Sequence, residues 1–344
     1  MNLLPNTPFL LQCIYKLLGV VQFPLNNSES KCSKIFGRVL CLPFYIYYFY
    51  SNVVLYLSFF DENWMIILFG NFILHLMNLF YNFLSLVYFY KRSQKIRNSL
   101  IQLQEIGVGQ NTVYCNKWMS ITLVIMFALN IFKIPFSVLS FRYLFFSCYT
   151  ATVFLVEALF LLDISSLIFQ KFKSINQQIQ GDIEEMENMS HSYCLLVDIT
   201  NEIVTHFSMN LLVTFACWFG YFLVTMYFAL CFISLKKIFV STFTTFGVFL
   251  LYEIYWLFIV VNSFSQIQIE AEKIGSHVHE VWNKYTTQGK IDRRIRHLEL
   301  LSFRFFYTKL ELTVDGFFNL DWAFCHLIIA ALATYSVIII QFLM

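Results

Sequence analysis

Formal charge is scarce in this sequence. Of its 344 residues only 13% are charged, while 58% are hydrophobic. Soluble domains carry about 25% charged residues, so a soluble globular chain is excluded. Proline is scarce too: there are five, all at or before Pro135, against 41 Phe and 20 Tyr. The net charge of +2 gives no ground for a nucleic-acid partner, because the charges are distributed by membrane side. None of the nine cysteines forms a C-x-x-C pair, and most lie in apolar runs, which argues against a disulfide framework or a metal site. The first residues, "MNLLPNTPFLLQCIYKLLGVVQF", lack a basic start and carry Pro5, Pro8 and Lys16. They make a poor signal peptide and read as a short amphipathic helix at or under a membrane. No glycine-rich phosphate loop, H-E-x-x-H or G-x-S-x-G is present, so enzyme chemistry and a cofactor have no visible carrier.

What is there is a set of long apolar runs. A spanning helix needs about 20 mostly apolar residues. Seven stretches qualify, at 36–60, 64–90, 118–140, 143–169, 207–233, 238–262 and 318–343. The expected fold is all-α: a polytopic membrane protein of seven transmembrane helices. Lys and Arg fix its orientation. The N-terminal segment and the stretches 91–117, 170–206 and 263–317 hold four, five, two and eight of them, nineteen in all. The other side has three: Arg142, Lys236 and Lys237. The N-terminus is therefore expected in the cytosol and the C-terminus outside, the reverse of a G-protein-coupled receptor. No D-R-Y follows the third run and no N-P-x-x-Y lies in the seventh. The sequons at Asn26 and Asn188 fall on the cytosolic side and should stay unglycosylated.

The longer internal segments carry helical stripes. Ile267, Ile274, Val278, Val281, Trp282 and Tyr285 recur at helical spacing, then Ile291, Ile295, Leu298, Leu301 and Phe305 after a turn at Gly289. Such stripes need a partner, from the same subunit or a neighbour. Val278, Trp282 and Leu301 are the candidate subunit-interface residues. The chain divides into a cytosolic N-terminal segment (1–35), helices one to six (36–262), a cytosolic helical anchor (263–317) and the last helix (318–344).

That last helix ends in "TYSVIIIQF": Thr334, Tyr335, five mostly aliphatic residues, Gln341 and Phe342. Together with Gly316, Phe317 and Asp321 ahead of it, and with the inverted seven-helix plan, this resembles the insect gustatory receptor family. The resemblance implies a tastant-gated cation channel of the plasma membrane, a homotetramer or a heteromer with related subunits. It implies that the last helices line one central pore, with Gln341 and Phe342 at the outer constriction, and that small-molecule tastants bind within each subunit's bundle.

Several residues stand out beside it. Thr334, Ile338 and Gln341 share one helix face, which His326 and Ala330 extend. Small and polar residues there suit a water-filled path, or else packing between helices. Asn71, His75, Asn78 and Asn82 also share a face. It could line a ligand pocket near Asn71 and His75, or serve interhelical hydrogen bonds. Glu157 and Glu253 are the deepest acids, while Lys133 lies nearer the outside. Asn71, His75, Lys133, Tyr149, Glu157 and Tyr227 form the candidate ligand set. Their aromatic surroundings suit a mid-sized, partly apolar ligand better than a free sugar. His277 and His279 lie two apart on different faces, a poor metal pair. A transporter or a non-channel receptor is the alternative; a transporter should show broken helices and internal repeats.

Overall fold

A computed structural model describes residues 12–15, 50, 65–106, 141–178, 183–234, 240–287, eight positions between 296 and 310, and 312–343. Five long helices account for most of them. We number these α1 (Met65–Glu105), α2 (Phe141–Gln178), α3 (Ile183–Ser234), α4 (Val240–Thr287) and α5 (Trp322–Leu343). A two-stranded hairpin, β1 (Thr313–Val314) and β2 (Phe318–Asn319), precedes α5. The expected spans at 64–90, 143–169, 207–233, 238–262 and 318–343 thus fall on helix; those at 36–60 and 118–140 lie outside the described residues.

Four of the helices are far longer than a bilayer requires. With 41, 38, 52 and 48 residues they run about 57–78 Å at 1.5 Å per residue, against a hydrocarbon layer of about 30 Å. Their surplus is the charged end: Lys91, Arg92 and Lys95 close α1, Lys171 and Lys173 close α2, and Lys273 and Lys284 close α4. α3 runs the opposite way, charged end first. Its neighbours confirm the direction, since Tyr88 on α1 donates to the His206 carbonyl and Arg92, one turn on, to the earlier Thr205 carbonyl. α3 is the hub: α1, α2, α4, α5 and β1 all pack on it.

The charged half is a protein core in its own right. Ile96, Leu100, Phe172, Tyr193, Leu196, Ile267 and Ile274 are all buried there. Tyr193 sits edge-on to Phe172 and Phe305, and its phenol is pushed up to about 12 chiefly by burial. The short helical piece around Tyr15 docks here too: the Tyr15 hydroxyl donates to Asp163 at 2.7 Å and its ring meets Phe160 edge-on. Gln12 and Tyr15 of this piece are buried, and Tyr15 ties it to α2.

Asn176 on α2 ties this half to α4, donating to the Glu270 carbonyl at 2.8 Å and to its carboxylate at 2.9 Å. Lys273 donates to the same carboxylate. Burial alone would raise the Glu270 pKa, but the hydrogen bonds from Lys273 and Asn176 and the charges on Lys273 and Lys173 outweigh it. The carboxyl is held below its ordinary value. Its contribution is therefore present above the unfolded pKa of about 4.3 and lost as pH falls through the lower folded value. Thermal unfolding of the purified protein should show a larger loss on going from pH 7 to below pH 4 than Glu270→Gln shows. Equal losses would mean that this carboxylate is not a stabilising anion.

Candidate functional site

α5 stands on a built base. Asp321 caps its first turn, accepting from the Phe324 N–H at 2.9 Å, as a short acidic side chain before a helix should. Phe318 and Phe324 lie face to face at 3.9 Å, and Phe215 of α3 meets both edge-on. Trp256 of α4 also packs against Phe215, their ring centroids 5.7 Å apart. From there α5 carries no Asp, Glu, Lys or Arg through Met344. Trp322–Gln341 is long and apolar enough to cross a membrane.

α5 buries one face only. Phe324, Cys325, Ile328 and Leu332 pack inward, while His326, Leu327, Ala330, Thr334, Val337 and Gln341 are exposed. At 100° per residue, His326, Ala330, Thr334, Val337 and Gln341 point away from the packed face. The structure thus brings together the predicted Thr334 and Gln341. It sets Ile338 at the edge of the face, 39% exposed, and Val337, which spacing alone had passed over, nearer its centre. The Thr334 hydroxyl donates to the Ala330 carbonyl at 2.9 Å, so it costs little wherever it faces. Among the described residues, neither Gln341 nor His326 makes such an in-helix bond. The Phe342 side chain lies outside the described ones.

The second site is a buried polar node in the bundle. The Tyr81 hydroxyl of α1 donates to the Glu157 carboxylate of α2. Thr214 of α3 is also within hydrogen-bond reach of Tyr81, with Cys217 nearby. Glu157 is 3% exposed. Trp218, one turn above Thr214, is fully buried, and its indole N–H meets no acceptor among the described residues. At Gly220 a β-carbon would collide with the thioether tip of Met77, so this glycine lets α1 and α3 approach closely. Counted from Met65, Phe141 and Ser234, the helix ends away from the lysine-rich half, Tyr81, Glu157 and Thr214 lie about 24–30 Å along their helices.

The other predicted ligand residues are less tightly placed. Asn71 and His75 lie on α1, about 15 and 9 Å above Tyr81 along its axis, and Tyr149 lies on α2; the side chains of all three lie outside the described ones. Tyr227 is half-buried on α3, and Lys133 falls outside the described residues. Of the predicted interface residues, Val278 is buried in its own chain's core and Trp282 is half-buried, stacked on His279. Leu301 lies outside the described residues. Val278 is therefore corrected to an intrachain packing residue: its stripe found its partner within the subunit. Among the described residues between 296 and 310, Leu300, Phe303 and Tyr307, at i, i+3 and i+7, are exposed apolar side chains.

A family model for the 7tm chemosensory receptors matches residues 14–344. The chain belongs to that family. No curated protein matches this chemosensory receptor in sequence. Among solved structures it is similar to the insect olfactory receptor OR5 from Machilis hrabei. The TM-score is 0.69 at 12% identity, over 96% of each chain. It is also similar to the same receptor in complex with eugenol, with a TM-score of 0.65 at 14% identity and the same coverage. At such identity the likeness speaks for the fold, the all-α seven-helix membrane architecture that the charge and hydropathy pattern predicts.

Proposed function

We propose that this chemosensory receptor is a gustatory-type subunit of a ligand-gated cation channel, a plasma-membrane tetramer with α5 of each subunit lining a shared pore. The observation that carries this reading is the bare face of α5. A membrane helix that turns an amide and an imidazole toward lipid bears a desolvation cost; the same groups facing water do not. Four copies around one axis would turn Gln341, Val337, Thr334 and His326 to a common aqueous path. The exposed stripe of Leu300, Phe303 and Tyr307 supplies a second apolar surface for neighbouring subunits. The basic ends of α1, α2 and α4 favour a cytosolic placement of that half, with the C-terminus outside.

The ligand is proposed to enter from the outer side, between Asn71, His75 and Tyr149, with the Tyr81–Glu157 pair as floor and the Trp218 N–H as an available donor. Such a site takes a mid-sized aromatic or partly apolar molecule with an oxygen acceptor. Eugenol, bound by the structurally similar olfactory receptor, has that character and is the first probe to use.

The test is cation flux from liposomes holding the purified protein, with eugenol and related phenols, beside native mass measurement. We expect evoked flux and a fourfold assembly that Phe303→Asp with Tyr307→Asp dissociates to smaller species. A monodisperse monomer that passes no ions with any probe would overturn the channel reading. Tetramers undisturbed by the double substitution would place the interface elsewhere.

A further inference from the structure

The hairpin between the charged half and α5 joins two elements by two unlike bonds. Val314 pairs with Phe318 and Thr313 with Asn319, and the three-residue link Asp315–Gly316–Phe317 holds Asp315 at φ 46° and Gly316 at φ 74°. Both are left-handed; glycine adopts this freely and Asp is among the few side chains that tolerate it. Leu312, Val314 and Leu320 are fully buried, which fixes the hairpin's inner side. Its aromatic contacts, Phe318 edge-on to Phe215 and stacked on Phe324 of α5, are apolar packing that involves no charged group.

The polar bond is directional. The Ser208 hydroxyl of α3 lies 2.6 Å from Asp315 Oδ1 and 2.9 Å from the Thr205 carbonyl. One hydroxyl proton can serve only one of these acceptors, and the carboxylate is both nearer and charged. Should the hairpin move, the hydroxyl has a second acceptor within its own helix and the exposed Asp315 carboxylate returns to water. Neither group is left orphaned, so the bond can break and re-form without the cost of a buried unpaired donor. Beside it Tyr88 and Arg92 of α1 hold the His206 and Thr205 carbonyls, and the Tyr88 hydroxyl lies close to both Ser208 and Asp315, so this turn of α3 is anchored next to the bond.

We propose that Asp315 is a positioning residue, a reversible latch to Ser208 that sets where α5 stands on α3 and hence how its outer end is presented. This rests on the reading that α5 is the moving pore element, but its test does not need current. The probe is a charged methanethiosulfonate reagent, applied to Gln341→Cys in the reconstituted full chain, with the rate corrected for protein lacking that cysteine. Position 341 is about 28 Å along α5 from its first residue, so a purely local defect at the hairpin should not alter it.

Ser208→Ala, or Asp315→Gly, which keeps the left-handed turn unstrained, should change the modification rate at least about tenfold, the low end of what one hydrogen bond to a charged group contributes. The two together should do no more than either alone, because they break one bond. Asp315→Asn, which still accepts from Ser208 and tolerates the turn, should restore most of the wild-type rate. A rate within about twofold of wild type for Ser208→Ala in folded protein overturns the latch, as does simple additivity of the two substitutions. Absence of current in the same liposomes would bear on the channel reading alone.

Discussion

Gln341→Arg will abolish cation current while leaving surface expression intact. Gln341 is exposed on the face of α5 that turns from the bundle, and a fourfold assembly would repeat the substitution four times around the axis. A monovalent cation about 6 Å from each guanidinium meets about 0.7 kcal/mol of repulsion from each, even at the dielectric of bulk water. Four together come to about 3 kcal/mol, a hundredfold in rate. Gln341→Ala removes the amide without adding charge and should alter conductance or selectivity far less. The same arginine at Ile339, which sits at the angle of the inward face, should misfold the helix rather than silence a surface-expressed channel. Normal cation current through Gln341→Arg would remove α5 from the pore.

Glu157→Ala is expected to destabilise the receptor by about 1–3 kcal/mol, because it leaves the Tyr81 hydroxyl with its carboxylate acceptor gone at a fully buried site. Glu157→Gln keeps an acceptor at the same place and should cost less. In a double-mutant cycle with Tyr81→Phe the pair should show coupling of about 0.6 kcal/mol or more, the scale of hydrogen bonds between membrane helices. Thermal unfolding in detergent measures all four species. If Glu157→Ala and Glu157→Gln melted alike and the cycle showed no coupling, the carboxylate would be free to act on a ligand directly. As placed, it spends its first hydrogen bond on holding α1 to α2.

Much of this was legible in the sequence because membrane burial writes itself in long runs. The helices on five of the seven apolar stretches needed only hydropathy and length, and their extension beyond the bilayer needed only the stripe at Ile267, Ile274 and Val278. What those stripes touch was not legible: periodicity gives a face, never the identity of the surface that covers it. Val278 turned inward to its own chain for that reason. Tyr81 was missed because it is one of 20 tyrosines, though a buried phenol demands an acceptor and Glu157 stood ready as one. Asp315 drew no notice in the sequence, and nothing in sequence order shows that its carboxylate would reach Ser208, 107 residues away. Val337 was lost to a choice of spacing: three from Thr334 and four from Gln341 describes the face better than Ile338 does.

The absence of formal charge along α5 has an electrical corollary. A membrane potential does work of about 2.3 kcal/mol for each elementary charge carried across 100 mV. A helix with no Asp, Glu, Lys or Arg from Trp322 to Met344 offers the field little to push on beyond its own peptide dipole. On the proposed channel reading, displacement of such a helix would be driven chemically, through the groups that grip its base, and the membrane potential would do little work on it.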